Sequence, residues 1–220
     1  MTKLIIFDLD GTLLDTVEDL GNATNHALRT LGWPEHPLEA YKIYCGRGIY
    51  NMFRDALPAG EATEENVAKM AGLFLPEYDA HKCDRTRPYP GIPEMLDRLH
   101  AEGIRFALAS NKYQDGAEKL VEHFFGQYGF VKVLGQREGL PIKPDPAIVR
   151  QAMEAVPGIR KEEVVYVGDT NTDMHTGLNA GVRTVGVLWG FRTREELVAC
   201  GPWKIVATPE ELTQAILYGA

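Results

Sequence analysis

Six short apolar runs, each leading into a loop and then a helical pattern, organise most of the 220 residues. They are Leu4–Phe7, Phe106–Ala109, Val131–Leu134, Val164–Val167, Val182–Leu188 and Ile205–Ala207. Runs this short, several of them rich in β-branched residues, suit buried strands better than helices. Helix starts are marked between or after them. Asp145-Pro146 offers a cap and a first-turn proline, and Thr193…Glu196 and Thr208-Pro209-Glu210-Glu211 have capping-box form. Strands alternating with helices predict a parallel sheet inside a three-layer α/β domain.

The alternation breaks between about Asp15 and His81. Val17, Leu20, Thr24, Ala27, Leu28 and Leu31 trace one stripe at helical spacing, and further helical segments cover Tyr50–Leu57 and Thr63–Leu75. A proline-rich stretch, Arg87-Pro88-Tyr89-Pro90-Gly91-Ile92-Pro93, returns the chain to the α/β pattern. The expectation is an all-helical insert placed after the first strand and lying over the sheet edge as a lid. Helices that merely flank one larger sheet are the alternative.

Four constellations carry chemistry. Phe7-Asp8-Leu9-Asp10-Gly11-Thr12 stands where the first run ends, the edge at which open α/β sheets bind ligands. Positions i and i+2 of an extended segment face the same side, about 6–7 Å apart, so a phosphoryl group and its leaving oxygen fit between Asp8 and Asp10. Gly168-Asp169-Thr170-Asn171-Thr172-Asp173 follows the Val164–Val167 run. Its two carboxylates suit a hard cation with oxygen ligands, magnesium being the natural one beside a phosphate. Ser110-Asn111-Lys112 offers a hydroxyl, an amide and a charge at the same edge, and Lys143 precedes a proline-started helix where its ammonium can meet a phosphate. Taken singly, each also reads as ordinary chemistry: an Asp-capped turn, a Ser-Asn turn, a solvated lysine. Taken together, all four lie at predicted strand ends or in the following loops and so can converge on one crevice.

Composition narrows the partners. A formal charge of −8 argues against a nucleic-acid or anionic-membrane surface and leaves any anionic substrate to a local positive cluster. Cys45, Cys83 and Cys200 are odd in number and far apart, which fits reduced thiols. With no leader-like start and no run approaching the roughly 20 apolar residues of a membrane span, the chain reads as cytoplasmic.

The order Asp-x-Asp, Ser-Asn, Lys, Gly-Asp-x-x-x-Asp resembles the haloacid-dehalogenase-like hydrolase superfamily. The phosphoglycolate-phosphatase-like branch is the nearest, through FDLDGTLLDT, PYPGIPEMLDRLHAEGIRFALASNK, IKPDP and GDTNTDMHTGLNAGVRTVGVLWGF. The resemblance implies a Rossmann-like catalytic core of residues 1–14 and 83–220 and a helical cap domain of residues 15–82. It implies an aspartyl-phosphate on Asp8, with Asp10 as the acid and base, and Mg2+ held by Asp8, the Asp10 carbonyl and Asp169, supported by Asp173. Ser110 and Lys143 would bind phosphoryl oxygens, helped by Thr12 and Asn111. Cys45-Gly46-Arg47-Gly48 stands where this branch places its substrate-specificity loop, so Arg47 could pair with a substrate carboxylate or second phosphate; an ordinary turn with a solvated arginine is the alternative.

The carboxylate at Asp10 counts against dehalogenases and phosphonatases, which lack it. A small phosphorylated metabolite, with 2-phosphoglycolate named first, is the expected substrate. A β-phosphoglucomutase-like sugar phosphomutase, a sugar-phosphate or pyrophosphate phosphatase, and a non-catalytic phosphate binder are the other readings. Oligomeric state is not legible.

Overall fold

The computed structural model describes residues 1–219. Its centre is β1 (Leu4–Phe7), flanked on one side by β4 (Arg105–Tyr113) and then β5 (Lys132–Gln136). On the other side come β6 (Val164–Gly168), β7 (Arg183–Val187) and β8 (Lys204–Val206), in the order β5-β4-β1-β6-β7-β8. All five pairings are parallel. Each of the six expected runs is therefore a strand.

Alternation along β1 explains the layers. Ile5 and Phe7 point into one core with α5 (Ile92–Ala101), α6 (Gln114–Phe125) and α10 (Pro209–Tyr218). Leu4 and Ile6 point into the other, with α7 (Ala147–Glu154) and α8 (Asn171–Ala180). All four side chains are fully buried, as a central parallel strand requires. The order of strand addition reverses about β1, because β4 lies on one side of it and β6 on the other. That reversal opens a crevice at the C-terminal end of β1, directly at Asp8.

The insert is helical, as expected. It runs through α1 (Val17–Thr30), α2 (Tyr41–Tyr44), α3 (Ile49–Ala56) and α4 (Glu64–His81). The predicted stripe of α1 faces a separate hydrophobic cluster built with Met52, Phe53, Met70, Phe74 and Tyr78. Four-residue α2 was not foreseen, being too short to show a period. Of the helix starts, Thr193 and Glu196 close a reciprocal capping box on α9 (Arg194–Ala199). Thr208 caps α10, but Glu211 turns back one residue further and accepts from the Ala207 N–H at 2.7 Å. Pro146, not Asp145, is the boundary residue of α7, and Asp145 Oδ1 accepts from the Ala147 N–H at 2.8 Å.

The two crossings between core and insert are tied together. β2 (Leu14–Asp15) and β3 (Arg87–Pro88) form a short antiparallel ladder that joins the outgoing and returning segments. Just beyond it the buried Asp19 carboxylate accepts from the Thr86 N–H and Thr86 hydroxyl, each at 2.8 Å, and from the Arg85 N–H at 3.1 Å. Among the described residues, no helix is long and apolar enough to cross a membrane, and all three cysteines are free thiols.

Removing the Asp19 carboxylate leaves buried backbone donors without a partner, a loss of about 2–3 kcal/mol. We expect Asp19→Ala to lower the thermal midpoint by roughly 5–10 °C in a calorimetric melt. An unchanged midpoint would show that the junction draws its stability from the ladder alone.

Candidate active site

Asp8 follows the last residue of β1 and is 3% exposed. Its Oδ1 lies 2.9 Å from Lys143 Nζ, yet it is a buried oxygen that meets no donor in hydrogen-bond geometry. Burial first, then the Asp173 carboxylate, push the Asp8 carboxyl up to about 7, against the pull of Lys143. Asp169, fully buried, follows the last residue of β6. Burial and the carboxylates of Asp173 and Asp8 raise it well above the usual carboxylate range, opposed by donors from Phe191 and Thr12.

Ligand atoms of Asp8, Asp169 and Asp173 lie within 4.8 Å of one another, all three residues being buried. Three carboxylates so close repel strongly in a medium drier than water. An oxygen-only donor set, one of whose oxygens lacks a donor, fits a hard divalent ion. The three do not contribute alike. Asp173, third residue of α8, has both oxygens occupied: Oδ1 takes Lys143 Nζ at 2.7 Å and the Tyr166 hydroxyl at 3.2 Å. Its Oδ2 takes the Thr170 hydroxyl at 2.6 Å and the Thr170 N–H at 3.0 Å. Asp173 thus orients Lys143 and adds charge, while Asp8 Oδ1 meets the Lys143 ammonium as an ion pair outside hydrogen-bond geometry.

Lys143 stands between β5 and α7, its side chain 1% exposed. Burial alone would lower its ammonium; the Asp173 and Asp8 carboxylates reverse that and hold it charged. Asn111 fixes the loop that carries it, its Oδ1 accepting from the Lys143 N–H at 2.9 Å. The Asn111 amide also donates to Gly46 O of the insert at 3.1 Å. Ser110 is buried at the same edge, with Oγ accepting from the Lys112 N–H at 3.2 Å. Both residues lie within β4, which runs through Tyr113 with a register shift after Ala109, where the apolar run had suggested an end.

Two residues stand differently from the sequence expectation. Thr12 donates its hydroxyl to Asp169 Oδ1 at 2.8 Å, so it orients a carboxylate. Arg47 is half exposed and ion-paired with Asp55 of α3. Gly46 and Gly48 line the cavity above Asp8 and Asp10, whereas Arg47 between them does not. The pairing with Asp55 draws the side chain away from the crevice.

Several contacts of the site could not be read from the sequence. Asp10 pairs with Lys112, whose Nζ lies 3.1 Å from Asp10 Oδ1 and donates to the Tyr78 hydroxyl of α4 at 2.8 Å. Trp189 Nε1 donates to Thr12 O at 2.9 Å, and the Phe191 N–H donates to Asp169 Oδ2 at 2.8 Å. Between them Gly190 is obligatory, since a Cβ there would sit 2.3 Å from both Asp169 Cβ and Gly11 O. Gly11 has φ +85°, and its own Cβ would strike Asp169 Oδ2 at 2.3 Å. Cys45 lines the cavity too, but burial pushes its thiol up to about 12, which keeps it protonated and removes a rival nucleophile.

The insert is docked onto this edge. Arg192, two residues past Gly190, donates to the carbonyls of Lys42, Ile43 (3.1 Å) and Cys45 (3.0 Å) at the C-terminal end of α2. A guanidinium there satisfies helix-end carbonyls and complements the helix dipole.

These features agree with the comparisons to known proteins. The family model for haloacid dehalogenase-like hydrolases matches residues 5–187. The chain belongs to that family. It is 32% identical over 208 residues to the phosphoglycolate phosphatase of Psychrobacter arcticus, covering 91% of this chain and 89% of that one. It is 32% identical over 224 residues to the Vibrio parahaemolyticus phosphoglycolate phosphatase, covering 99% and 97%. The crystal structure of a proposed phosphoglycolate phosphatase from Lactobacillus delbrueckii subsp. bulgaricus superposes with a TM-score of 0.91 at 31% identity, over 99% of this chain and 100% of that one. This haloacid dehalogenase-like hydrolase is thereby placed in the phosphoglycolate-phosphatase-like branch and is a phosphatase.

Charge-assisted bonds such as those of Arg192 contribute about 1.5–3 kcal/mol each. We expect Arg192→Ala to speed amide hydrogen exchange in residues 41–48 by about ten-fold or more while leaving β1 and β6 protected. Exchange equal to wild type in that segment would mean the insert is held down by other contacts.

Proposed function

We propose that the chain is a Mg2+-dependent phosphate-monoester hydrolase working through an aspartyl-phosphate on Asp8, with 2-phosphoglycolate as substrate. One observation carries this reading: where the strand order reverses, the buried Asp8 carboxylate lies against Lys143 and has a ligand atom within 4.8 Å of one on Asp169. The names of the Psychrobacter and Vibrio relatives support the choice of ester.

In the proposed reaction Asp8 attacks phosphorus, the ester P–O bond breaks, and the departing alkoxide takes a proton from Asp10. A water, deprotonated by Asp10, then attacks phosphorus and returns Asp8 to its carboxylate. Lys143 lies against Asp8, where charge on the phosphoryl oxygens develops, and Ser110 at the same edge is placed to donate to one of them. Magnesium held by Asp8, Asp169 and the Asp10 carbonyl would supply further positive charge to those oxygens and favour the ionised form of Asp8. Asp173 and Thr12 keep Lys143 and Asp169 in position, and Asn111 joins the Lys143 loop to the cap. The cap, residues 15–82, excludes water from the crevice. With Arg47 committed to Asp55, recognition of the leaving group falls to other residues.

The test is incubation with 2-phosphoglycolate and millimolar Mg2+, following inorganic phosphate and acid-labile label from 32P substrate. The wild-type protein should turn over and lose activity to a chelator, regaining it with Mg2+. Asp8→Asn should lower kcat by on the order of 10⁴ or more and carry no label. A folded wild-type protein that releases no phosphate, or label that persists in Asp8→Asn, contradicts the assignment.

A further inference from the structure

The crevice holds two buried cations with unequal commitments. Lys143 is shared by two carboxylates, Asp8 and Asp173. Lys112 faces one, Asp10, and otherwise donates to the Tyr78 hydroxyl. Burial raises that phenol well above its ordinary range, so it stays neutral and offsets none of the charge. Of the two cations Lys112 has fewer carboxylate partners, one against two, so the less quenched positive potential is at Lys112.

Its position selects what can use that potential. The cavity above Asp8 and Asp10, about 410 Å³ with its open mouth included, is lined on the cap side by Leu20, Cys45, Ile49 and Met52. Among the described residues, Lys112 is the only lysine or arginine on its wall. The other nearby cations are spent elsewhere: Arg47 on Asp55, Arg192 on three carbonyls of the α2 end. The cap side chains on that wall are apolar and leave a sugar's hydroxyls only the Gly46 and Gly48 backbone on that side, so most would be desolvated without partners. A single anionic group near the ester oxygen would be met by a dry ammonium. Because Lys112 adjoins Asp10, the group that faces the leaving oxygen, its charge lies on the leaving-group side of the crevice.

We propose that Lys112 is the specificity-determining residue of this site, pairing with a carboxylate carried one carbon from the ester oxygen of a short phosphate monoester. The inference rests on the phosphatase reading and deepens it, naming the substrate class through a residue of the core sheet. The Tyr78 hydroxyl, reaching from α4, holds the ammonium at that height. Cap and core therefore share the specificity contact.

The experiment compares 2-phosphoglycolate with ethyl phosphate, in which a methyl group replaces the carboxylate, both with Mg2+. Wild type should favour 2-phosphoglycolate by about 10²-fold or more in kcat/KM, because a site built for a polar group rejects the analogue lacking it. Lys112→Met should cut that preference by about ten-fold or more, chiefly through a raised KM for 2-phosphoglycolate, and Lys112→Arg should retain part of it. Titration of each ester into an Asp8→Asn background, with and without Lys112→Gln, should show the same loss in binding. A preference unchanged in the Lys112 variants overturns the proposal. So does an equal loss on both esters, which would make Lys112 a positioning residue for Asp10 alone. Should Lys112→Met fail to fold, the ratio in Lys112→Arg and the titration with Lys112→Gln decide. Wild type that hydrolyses both esters equally defeats this inference alone, whereas wild type that hydrolyses neither defeats the phosphatase reading.

Discussion

Four carboxylates crowd the C-terminal edge of β1 and β6, and much of the surrounding structure answers that crowding. Two lie at or next to a strand end, Asp8 after β1 and Asp169 after β6, on neighbouring parallel strands that cannot move apart without breaking the sheet. Burial denies them water. Lys143 between Asp8 and Asp173, and Lys112 beside Asp10, are the opposing charges the chain supplies. Burial first, and then the neighbouring carboxylates, raise the carboxyls of Asp8 and Asp169, and two lysines stand against four carboxylates. A site left short of positive charge in a dry crevice is one prepared for a cation, and burying charge without full compensation is costly enough to need a function.

The same constraint explains the glycines and the side chains behind the site. Gly11 and Gly190 let two loops close onto Asp169 where any side chain would collide with the carboxylate or its backbone. The Thr12 hydroxyl and the Phe191 N–H hold that carboxylate, one on each oxygen, and Trp189 donates to the Thr12 carbonyl behind it. The cap is joined to this rigid edge at Asn111, Lys112 and Arg192, so its placement depends on the residues that order the crevice. The Asp19 cluster and the short β2–β3 ladder fix the cap's root.

What the sequence made legible was whatever depends on neighbours in the chain. The six strands showed as apolar runs, because a parallel strand buried on both faces needs no polar residue. The helix stripe of α1 showed because its period is local. Asp8, Asp10, Asp169, Asp173 and Ser110 could be singled out as candidates because each stands just after or close to a run already marked as a strand, and Lys143 because it precedes a proline-started helix. Other contributions depend on partners far along the chain. Asp19 meets Arg85 and Thr86, 66 and 67 residues away, and nothing local sets it apart from an ordinary first-turn acid. Arg192 meets carbonyls about 150 residues distant, contacts that need no particular residue type at the partner positions. Lys112 was noticed as a charge beside Ser110 and Asn111, but its pairing with Asp10 and Tyr78 needed the packed sheet and cap. Arg47 shows the converse: a well-placed loop residue diverted by Asp55, a partner eight positions away.

The central claim is that Asp8 and Asp169 are brought together to share one divalent ion beside a phosphoryl group. A crystal structure grown with Mg2+ and a tetrahedral phosphate mimic tests it most directly. The account predicts an ion about 2.0–2.1 Å from one oxygen of each carboxylate, with the mimic against Asp8 and Lys143. An ion that contacts neither carboxylate, or a mimic bound away from Asp8, would contradict it.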